Sequence, residues 1–270
     1  MPLKIVYRFV RSARKSCNNC HIIIFLHSKI IAEEDFRQLA LFYSIIFIPY
    51  DTWISSHLNI RLSSIPTVSL RWIIISQYLK RLDDIKSPYK YVFICDSRDV
   101  IFQRNIFDYV NEYEDGLFVF QETTKMNIRK CSYNSKWIKD CYGETELNLI
   151  GDQKIICAGT ILGSWKAMRN YLSIVEQVTS QRYQQCNDQG IHNHIVYRDK
   201  INNTKIHIIS HERGFVGTLG YSATFKRNQF GLILNENEQV YAVIHQFDRN
   251  KQITGQLEIQ YQLWTDYQQD

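Results

Sequence analysis

The feature that most constrains this chain is an apolar segment that leads directly into two acidic residues. Tyr91 to Cys95 are largely apolar, and Asp96 and Asp99 follow, three positions apart. An unbroken apolar segment is typical of a strand that a sheet buries on both faces. Carboxylates at the carboxyl end of such a strand lie at the sheet edge where open α/β folds bind ligands. Two carboxylates there could hold a hard divalent cation, which in turn could bind a diphosphate.

The first part of the chain alternates between strand and helix patterns. Short apolar segments predict strands, and apolar residues at a spacing near 3.6 predict helices. The predicted elements are, in order, a short strand and a helix within Lys4–Lys15, a strand over His21–His27, a helix over Glu33–Phe42, a strand over Ser44–Pro49, a helix over Thr67–Leu82 and the strand Tyr91–Cys95. We expect a turn at 50–51, and Ser87-Pro88 breaks the helical pattern after Leu82. This order predicts an α/β fold with a central, mostly parallel sheet flanked by helices.

The second part continues the alternation, with one exception. The patterns predict strands and helices over Asn105–Tyr109 (short helix), Leu117–Gln121 (strand), Lys154–Leu162 (strand), a helix that Ser164 caps, Asp188–Val196 (helix), Lys205–Ile209 (strand) and Val240–His245 (strand). The polar stretch from Thr123 to Gly151 shows little periodicity, and we expect a loop there.

Length and composition favour a single globular domain. The chain has 270 residues, of which 45% are apolar and 22% charged, as in ordinary folded proteins. Only 4 prolines and 11 glycines are available for linkers. We therefore expect one domain over residues 1–270, although the length would also suit two small ones.

Charge and hydropathy limit the partners and the location. The net charge of +5 is dispersed and fits an anionic substrate as well as nucleic acid. No motif of a nucleic-acid-binding fold is visible, so we expect no nucleic-acid partner. No signal peptide is visible, and no apolar stretch approaches the roughly 18 residues of a membrane span. We expect a soluble protein, either cytoplasmic or the lumenal part of an anchored one.

Several chemistries place acids after a strand, and chain position separates them. In the simplest alternative, Asp96 caps a turn and Asp99 pairs with Arg98 or another base. P-loop NTPases need the sequence GxxxxGK[ST], which is absent. Aspartyl phosphatases place their acids near the N-terminus, whereas these acids follow a third strand. The position therefore favours a metal site that binds a nucleotide diphosphate.

Four motifs, in sequence order, resemble those of GT-A glycosyltransferases. The segment Cys95–Val100 resembles the DxD region, and Cys157–Ser164 resembles the NAGxxxG strand that lines the donor and acceptor cleft. The sequence Asn187–Gly190 resembles the DQ element beside the sugar, and Ile244–Arg249 resembles the segment with the late metal-binding histidine. The four motifs occur in the order of the family, and the resemblance covers roughly residues 20 to 250, which makes it specific.

The resemblance implies a divalent metal site formed by Asp96, Asp99 and His245. Nucleotide-sugar transfer leaves negative charge on the departing diphosphate, and a bound metal stabilises that charge as a Lewis acid. Carboxylate and imidazole ligands together suit Mn²⁺ better than Ca²⁺. The expected ion is Mn²⁺ or Mg²⁺. Without the resemblance, His245 would more often be a histidine at a sheet edge.

The resemblance also implies donor-binding and catalytic residues. Asp188 is the candidate catalytic residue, as a base for the acceptor hydroxyl or as a contact to the donor sugar; an N-cap is its structural alternative. The candidate nucleotide- and donor-binding residues are Arg71, Asp96, Ser97, Arg98, Gly159 and Gln189.

The implied reaction moves a sugar from a nucleotide-diphosphate sugar to a glycan or glycoprotein acceptor. UDP-sugars are the favoured donors. Retention is favoured slightly over inversion, because no second carboxylate stands out as a dedicated base. The implied organisation is a nucleotide-binding half over about 1–120, a sugar and acceptor side over about 121–250, and a tail over 251–270.

Three departures from the family pattern keep other functions open. The acids form DxxD instead of DxD, no asparagine precedes Ala158, and few residues precede the first helix. These departures fit a non-catalytic relative that serves as a binding or scaffold protein. A nucleotidyltransferase shares the architecture, but the N-terminal glycine-rich loop usual in that class is absent.

The seven cysteines do not form a regular framework. Cys17 and Cys20 form a single CxxC, which is a weak zinc motif without a second pair. Cys131 and Cys141 lie within the predicted loop over Thr123–Gly151 and could pair in an oxidising compartment.

Overall fold

The computed structural model describes residues 2–57, 65–85, 89–123, 125–198, 200–221, 225–249 and 251–260. Its α-helices are α1 (Leu3–Ser16), α2 (Ser28–Ile31), α3 (Glu34–Tyr43), α4 (Tyr50–His57), α5 (Thr67–Asp84), α6 (Ser132–Tyr142), α7 (Glu144–Ile150), α8 (Trp165–Arg182), α9 (Asp188–Tyr197) and α10 (Lys251–Gln260). Within these described ranges, no helix is long and apolar enough to cross a membrane.

The strands are shorter than the helices. They are β1 (Ile22–Leu26), β2 (Ile45–Pro49), β3 (Tyr91–Cys95), β4 (Val100–Phe102), β5 (Leu117–Gln121), β6 (Ile156–Ser164), β7 (Ile206–Ile209), β8 (Val216–Thr218), β9 (Lys226–Arg227), β10 (Ile233–Leu234) and β11 (Val243–His245). Short 3-10 helices cover Ile106–Glu112, Leu219–Tyr221 and Phe247–Arg249.

The chain divides into two compact units that are interleaved in sequence. The first unit comprises Met1–Ile60, Asp96–Tyr109 and Phe215–Asp270. The second unit comprises Arg61–Cys95 and Val110–Gly214. The chain passes from the second unit into the first between Cys95 and Asp96. The single domain expected from the sequence, with its division near residue 120, stays a prediction.

The second unit is built on a four-stranded sheet with the order β3-β6-β5-β7. β6 runs antiparallel to both β3 and β5, and β5 is parallel to β7, so three of the four strands point the same way. Every residue of β6 is buried, which explains its nearly unbroken apolar sequence. Helices α5 and α8 pack together beside it, with Trp72 and Met168 in the shared core. The predicted α/β class with a mostly parallel central sheet is confirmed.

In the described residues of the first unit, the strands form three smaller sheets. β1 pairs in parallel with β2, and β9 pairs with β10. β11 lies between β4, to which it is antiparallel, and β8, to which it is parallel. Ile101, Ile244 and Phe247 are fully buried in the core beside this three-stranded sheet. The first unit therefore buries both segments that carry the predicted metal ligands.

Three local predictions were wrong. Helix α1 covers the whole of Leu3–Ser16, with no strand before it, because its buried residues recur at helical spacing. Helix α4 begins at Tyr50, where we expected a turn. The expected loop over Thr123–Gly151 contains α6 and α7. The buried side of α6 consists of Asn134, Ile138 and Cys141, and its two apolar residues are too few to produce a clear hydrophobic period. Ser87-Pro88 lies outside the described residues.

The expected pairing of Cys131 with Cys141 was also wrong. Cys141, in α6, forms a disulfide with Cys186, 45 positions later, and Cys17 forms another with Cys20. Cys131 is a buried thiol whose sulfur accepts a hydrogen bond from Asn134 Nδ2 at 3.2 Å. The fold brings Cys186 to α6 because it lies directly before α9, which packs against α6.

Candidate functional site

Three potential metal ligands meet in the first unit. Asp96 follows β3 in sequence, Asp99 precedes β4, and His245 is the last residue of β11. The antiparallel register of β4 and β11 places His245 opposite Val100, the neighbour of Asp99. The backbone N–H of Gln246 donates to the carbonyl oxygen of Asp99 at 2.9 Å. Pairing of two short strands thus joins acids and histidine that are far apart in sequence.

The ligand atoms of these residues lie close enough to share one ion. His245 Nε2 is 3.5 Å from Asp96 Oδ2 and 3.5 Å from Asp99 Oδ1, and all three ligand atoms lie within 4.8 Å of one another. Ligands at roughly 2.1 Å from a metal are at most roughly 4.2 Å apart, so the cluster needs little adjustment to hold one ion. Asp99 and His245 are buried, while the Asp96 side chain is 32% exposed.

Nearby charges keep the buried acid ionised. Burial alone would raise the pKa of Asp99, but its hydrogen bond and charge interaction with His245 outweigh burial, and Arg98 adds to the effect; the pKa of Asp99 is lowered. Arg98 Nη2 lies 3.4 Å from Asp99 Oδ2 and 3.4 Å from Asp248 Oδ2. Chiefly through Asp99, these acids raise the pKa of Arg98. An ionised Asp99 is the form that binds a metal.

The donor set fits the expected metal. Two carboxylates and one imidazole form a mixed oxygen and nitrogen set, which suits Mn²⁺ better than the all-oxygen shells of Ca²⁺. Ser97 and Arg98 lie in the turn between the two acids, so both belong to the same cluster by position. Their predicted role in donor binding stays a prediction, as does the sharing of roles between Asp96 and Asp99.

A buried arginine of α1 supports this cluster, and the sequence did not mark it as a site residue. Arg8 Nη2 donates to the carbonyl oxygen of Arg98 at 3.4 Å, and its guanidinium lies 4.6 Å from the ring centroid of Phe247. Arg8 therefore contacts both segments that carry metal ligands. Its burial was the missing signal, because a basic residue on a helix is usually assigned to the solvent side.

The other predicted site residues belong to the second unit. Asp188 is the first residue of α9, and the N-cap is its neighbour Asn187, whose side chain accepts from the N–H of Gln189. Asp188 Oδ2 accepts hydrogen bonds from Arg71 Nη2 at 2.6 Å and from Trp72 Nε1 at 3.2 Å. The carboxylate is thus held by two donors of α5. The predicted roles of Arg71 and Asp188 toward a donor stay predictions.

Gln189 anchors α9 to β6. Its Oε1 accepts from the N–H of Ala158 at 2.8 Å, and its Nε2 donates to the carbonyl oxygen of Ile156 at 2.8 Å. Gly159, the next residue of β6, is buried beside this contact. Asn193 adds further hydrogen bonds to both backbone groups of Ile156. These contacts assign Gln189 a structural role, and its role in donor binding stays a prediction.

A second buried acid lies next to Gln189. Glu122 directly follows β5, its side chain is buried, and its Oε1 accepts from Gln189 Nε2 at 3.2 Å. Glu122 was not predicted as a site residue, although an acid directly after an apolar strand is the same signal that identified Asp96. Asn193 was also missed, since an asparagine within a helix carries no distinctive pattern.

A buried histidine of α9 makes the second unit sensitive to acid. His192 Nδ1 lies 2.8 Å from the Tyr171 hydroxyl, and burial lowers the pKa of His192 to about 3. Below its unfolded pKa of about 6.5, the unfolded chain binds a proton that the folded chain excludes. The free energy of unfolding is therefore expected to fall as pH falls from about 6.5 toward 3, by about 2 kcal/mol at pH 5 from this group.

Urea unfolding at pH 7 and pH 5 measures this loss. The His192→Asn variant keeps an acceptor for Tyr171 but has no titrating ring, so we expect it to lose about 2 kcal/mol less than the wild type between the two pH values. His207→Asn, which removes a half-buried histidine of β7 from the same unit, is the control and should retain the wild-type difference. An unchanged pH difference in His192→Asn would contradict the assignment.

Comparison with known proteins supports the fold. No family model matches the chain, and no curated protein matches it in sequence. A structure of the galactosyltransferase LgtC in complex with donor and acceptor sugar analogs matches with a TM-score of 0.51 and 14% identity, over 90% of this chain and 82% of that one. A structure of an active-site glutamine-to-glutamate mutant of LgtC aligns over the same shares, with a TM-score of 0.49 and 17% identity. At 14% identity, the match to the complex with sugar analogs shows the fold alone, and that fold is the GT-A fold that the motifs predicted.

Proposed function

We propose that this protein is a metal-dependent glycosyltransferase that takes its sugar from a nucleotide-diphosphate sugar. The observation that carries the proposal is the cluster of Asp96, Asp99 and His245, which lies at the predicted motif of a chain with the GT-A fold. A metal held there would stabilise the negative charge of the departing diphosphate. The favoured donor is a UDP-sugar, and the acceptor is a carbohydrate or a glycoprotein.

The residues of the two units have separate roles in this proposal. In the first unit, Asp96, Asp99 and His245 hold Mn²⁺ or Mg²⁺, and Ser97 and Arg98 bind the diphosphate. In the second unit, Asp188, Gln189, Gly159 and Arg71 bind and orient the donor sugar. Retaining transfer is favoured, because the Asp188 carboxylate is already engaged by Arg71 and Trp72 and is a poor candidate for a free base.

A donor screen tests the proposal. Nucleotide release is measured from UDP-, GDP- and dTDP-sugars, with and without Mn²⁺, and proton NMR of the product gives the configuration at the anomeric carbon. We expect release from a UDP-sugar that depends on the metal. Absence of both release and nucleotide-induced thermal stabilisation with Mn²⁺ would favour a scaffold protein. Release of pyrophosphate from a nucleoside triphosphate and a sugar phosphate would identify a nucleotidyltransferase.

A further inference from the structure

Helix α6 presents two aromatic side chains that the proposed roles do not use. Tyr133 is 69% exposed and Trp137 is half-buried, and their ring centroids are 5.9 Å apart with an angle of 35° between the ring planes. They are four positions apart, so they lie on one side of the helix. Large aromatic rings exposed side by side are a feature of binding surfaces.

Helix α6 is fixed against the start of α9, two residues from Asp188. A Cβ added at Gly190 would lie 3.1 Å from the Trp137 carbonyl oxygen and 3.3 Å from Trp137 Cβ. Only glycine permits this approach without displacement of the backbone. The Trp137 residue of α6 therefore lies directly beside the first turn of α9. The disulfide between Cys141 and Cys186 fastens the far end of α6 to the segment that precedes α9.

The chemistry around the two rings matches that of a sugar. A pyranose has one face of C–H groups, which packs on the electron-rich face of an aromatic ring, and a rim of hydroxyls, which binds charged and polar groups. The charged side chains of Lys136 and Asp140 are exposed on the same helix and form an ion pair at 2.6 Å. In water such a pair contributes little to stability, so its groups are available to hydroxyls at little cost.

We propose that Tyr133 and Trp137 form a platform for a pyranose ring of the acceptor. This inference rests on the proposed glycosyltransferase function and adds the class of acceptor, a glycan with at least one ring that exposes an apolar face. The platform belongs to the second unit, as do Asp188 and Gln189, which the proposal assigns to the donor sugar. It acts by binding only and takes no part in bond making.

Saturation-transfer NMR with methyl β-D-glucopyranoside, methyl β-D-galactopyranoside, cellobiose and maltose tests the platform without catalysis. We expect transfer from aromatic protons to the C–H protons of at least one sugar. Tyr133→Ala should weaken binding of that sugar several-fold and Trp137→Ala about 10-fold or more, while Trp137→Phe, which preserves a ring and most of the packing, should bind at an intermediate level. Phe230→Ala removes an aromatic side chain that is 73% exposed in the first unit, and it should bind as the wild type does.

Several outcomes would overturn the platform. One is the absence of saturation transfer to all four sugars. Another is sugar binding by the Tyr133→Ala/Trp137→Ala double variant that equals wild-type binding. A third is transfer to uridine, added as a further ligand, that is lost in Trp137→Ala while no sugar shows transfer. If the wild type self-associates in solution and the double variant does not, while sugar binding is unchanged, the two rings would instead form a contact between copies of the chain. Metal-dependent donor hydrolysis separates a failure of the platform from a failure of the proposed function. If hydrolysis persists in the double variant, a failed platform leaves the proposed function intact.

Discussion

Replacement of Asp99 by asparagine is expected to lower Mn²⁺ affinity and metal-dependent nucleotide release by about 100-fold or more. The substitution removes one of two anionic ligands while keeping the shape of the side chain, and a ligand charge lost at a metal is worth several kcal/mol. Replacement of Asp99 should lower the affinity more than replacement of Asp96. Asp99 is almost fully buried, so a water molecule cannot take the place of its carboxylate. His245→Ala should also weaken binding, since it removes the single imidazole of the cluster.

Electron paramagnetic resonance of Mn²⁺ and isothermal titration calorimetry measure the affinity, and the donor screen measures release. Asp35→Asn is the matched control, as it neutralises an exposed acid of the same unit, in α3. The control should match the wild type in both assays. If Asp99→Asn kept wild-type affinity for Mn²⁺, the cluster would not be the metal site. If it lost affinity but kept nucleotide release, the reaction would not require this metal.

The two disulfides are expected to contribute unequally to stability. A disulfide stabilises a protein by restricting the unfolded chain, and the effect grows with the length of the closed loop. Cys141 and Cys186 are separated by 45 positions, which corresponds to about 4 kcal/mol, whereas the separation of 3 between Cys17 and Cys20 corresponds to about 2 kcal/mol. The Cys141→Ala/Cys186→Ala variant should therefore lose about twice the free energy of unfolding that Cys17→Ala/Cys20→Ala loses.

Urea unfolding followed by circular dichroism gives both values, with reduction of the wild type as an independent comparison. Equal losses, or a larger loss for the short loop, would contradict the prediction. Two disulfides are typical of proteins that fold in an oxidising compartment.

The two acids of the candidate metal site were predictable from the sequence because their signal is local, whereas His245 was assigned to them only through the family resemblance. Asp96 and Asp99 follow an apolar strand directly, and His245 ends another, so strand prediction alone places them at strand ends. The α/β class followed from the alternation of strand-like and helix-like apolar patterns along the chain. The meeting of His245 with the two acids, in contrast, depends on the pairing of β4 with β11.

Features that depend on contacts distant in sequence were not predictable. Arg8 is buried because α1 packs on β4, and no pattern in α1 announces that contact. Cys186 became the partner of Cys141 only through the packing of α6 on α9. The local sequence of α6 and α7 resembles a polar loop. The two helices are stabilised by tertiary packing against buried cysteine and isoleucine side chains, which local patterns do not reveal. Asp188 was placed correctly at the start of a helix, but its ion pair with Arg71 requires α5 and α9 to meet.

The interleaving of the two units has a consequence for biosynthesis. The second unit is complete once residue 214 has left the ribosome, whereas the first unit requires residues 215 onward in addition to its two earlier segments. The strands β8 and β11, which complete the sheet with β4, are synthesised last among the strands of that sheet. The N-terminal segment must therefore wait for the C-terminal one before its core can close. The acids Asp96 and Asp99 acquire their histidine partner only at that stage, after the second unit has had time to fold.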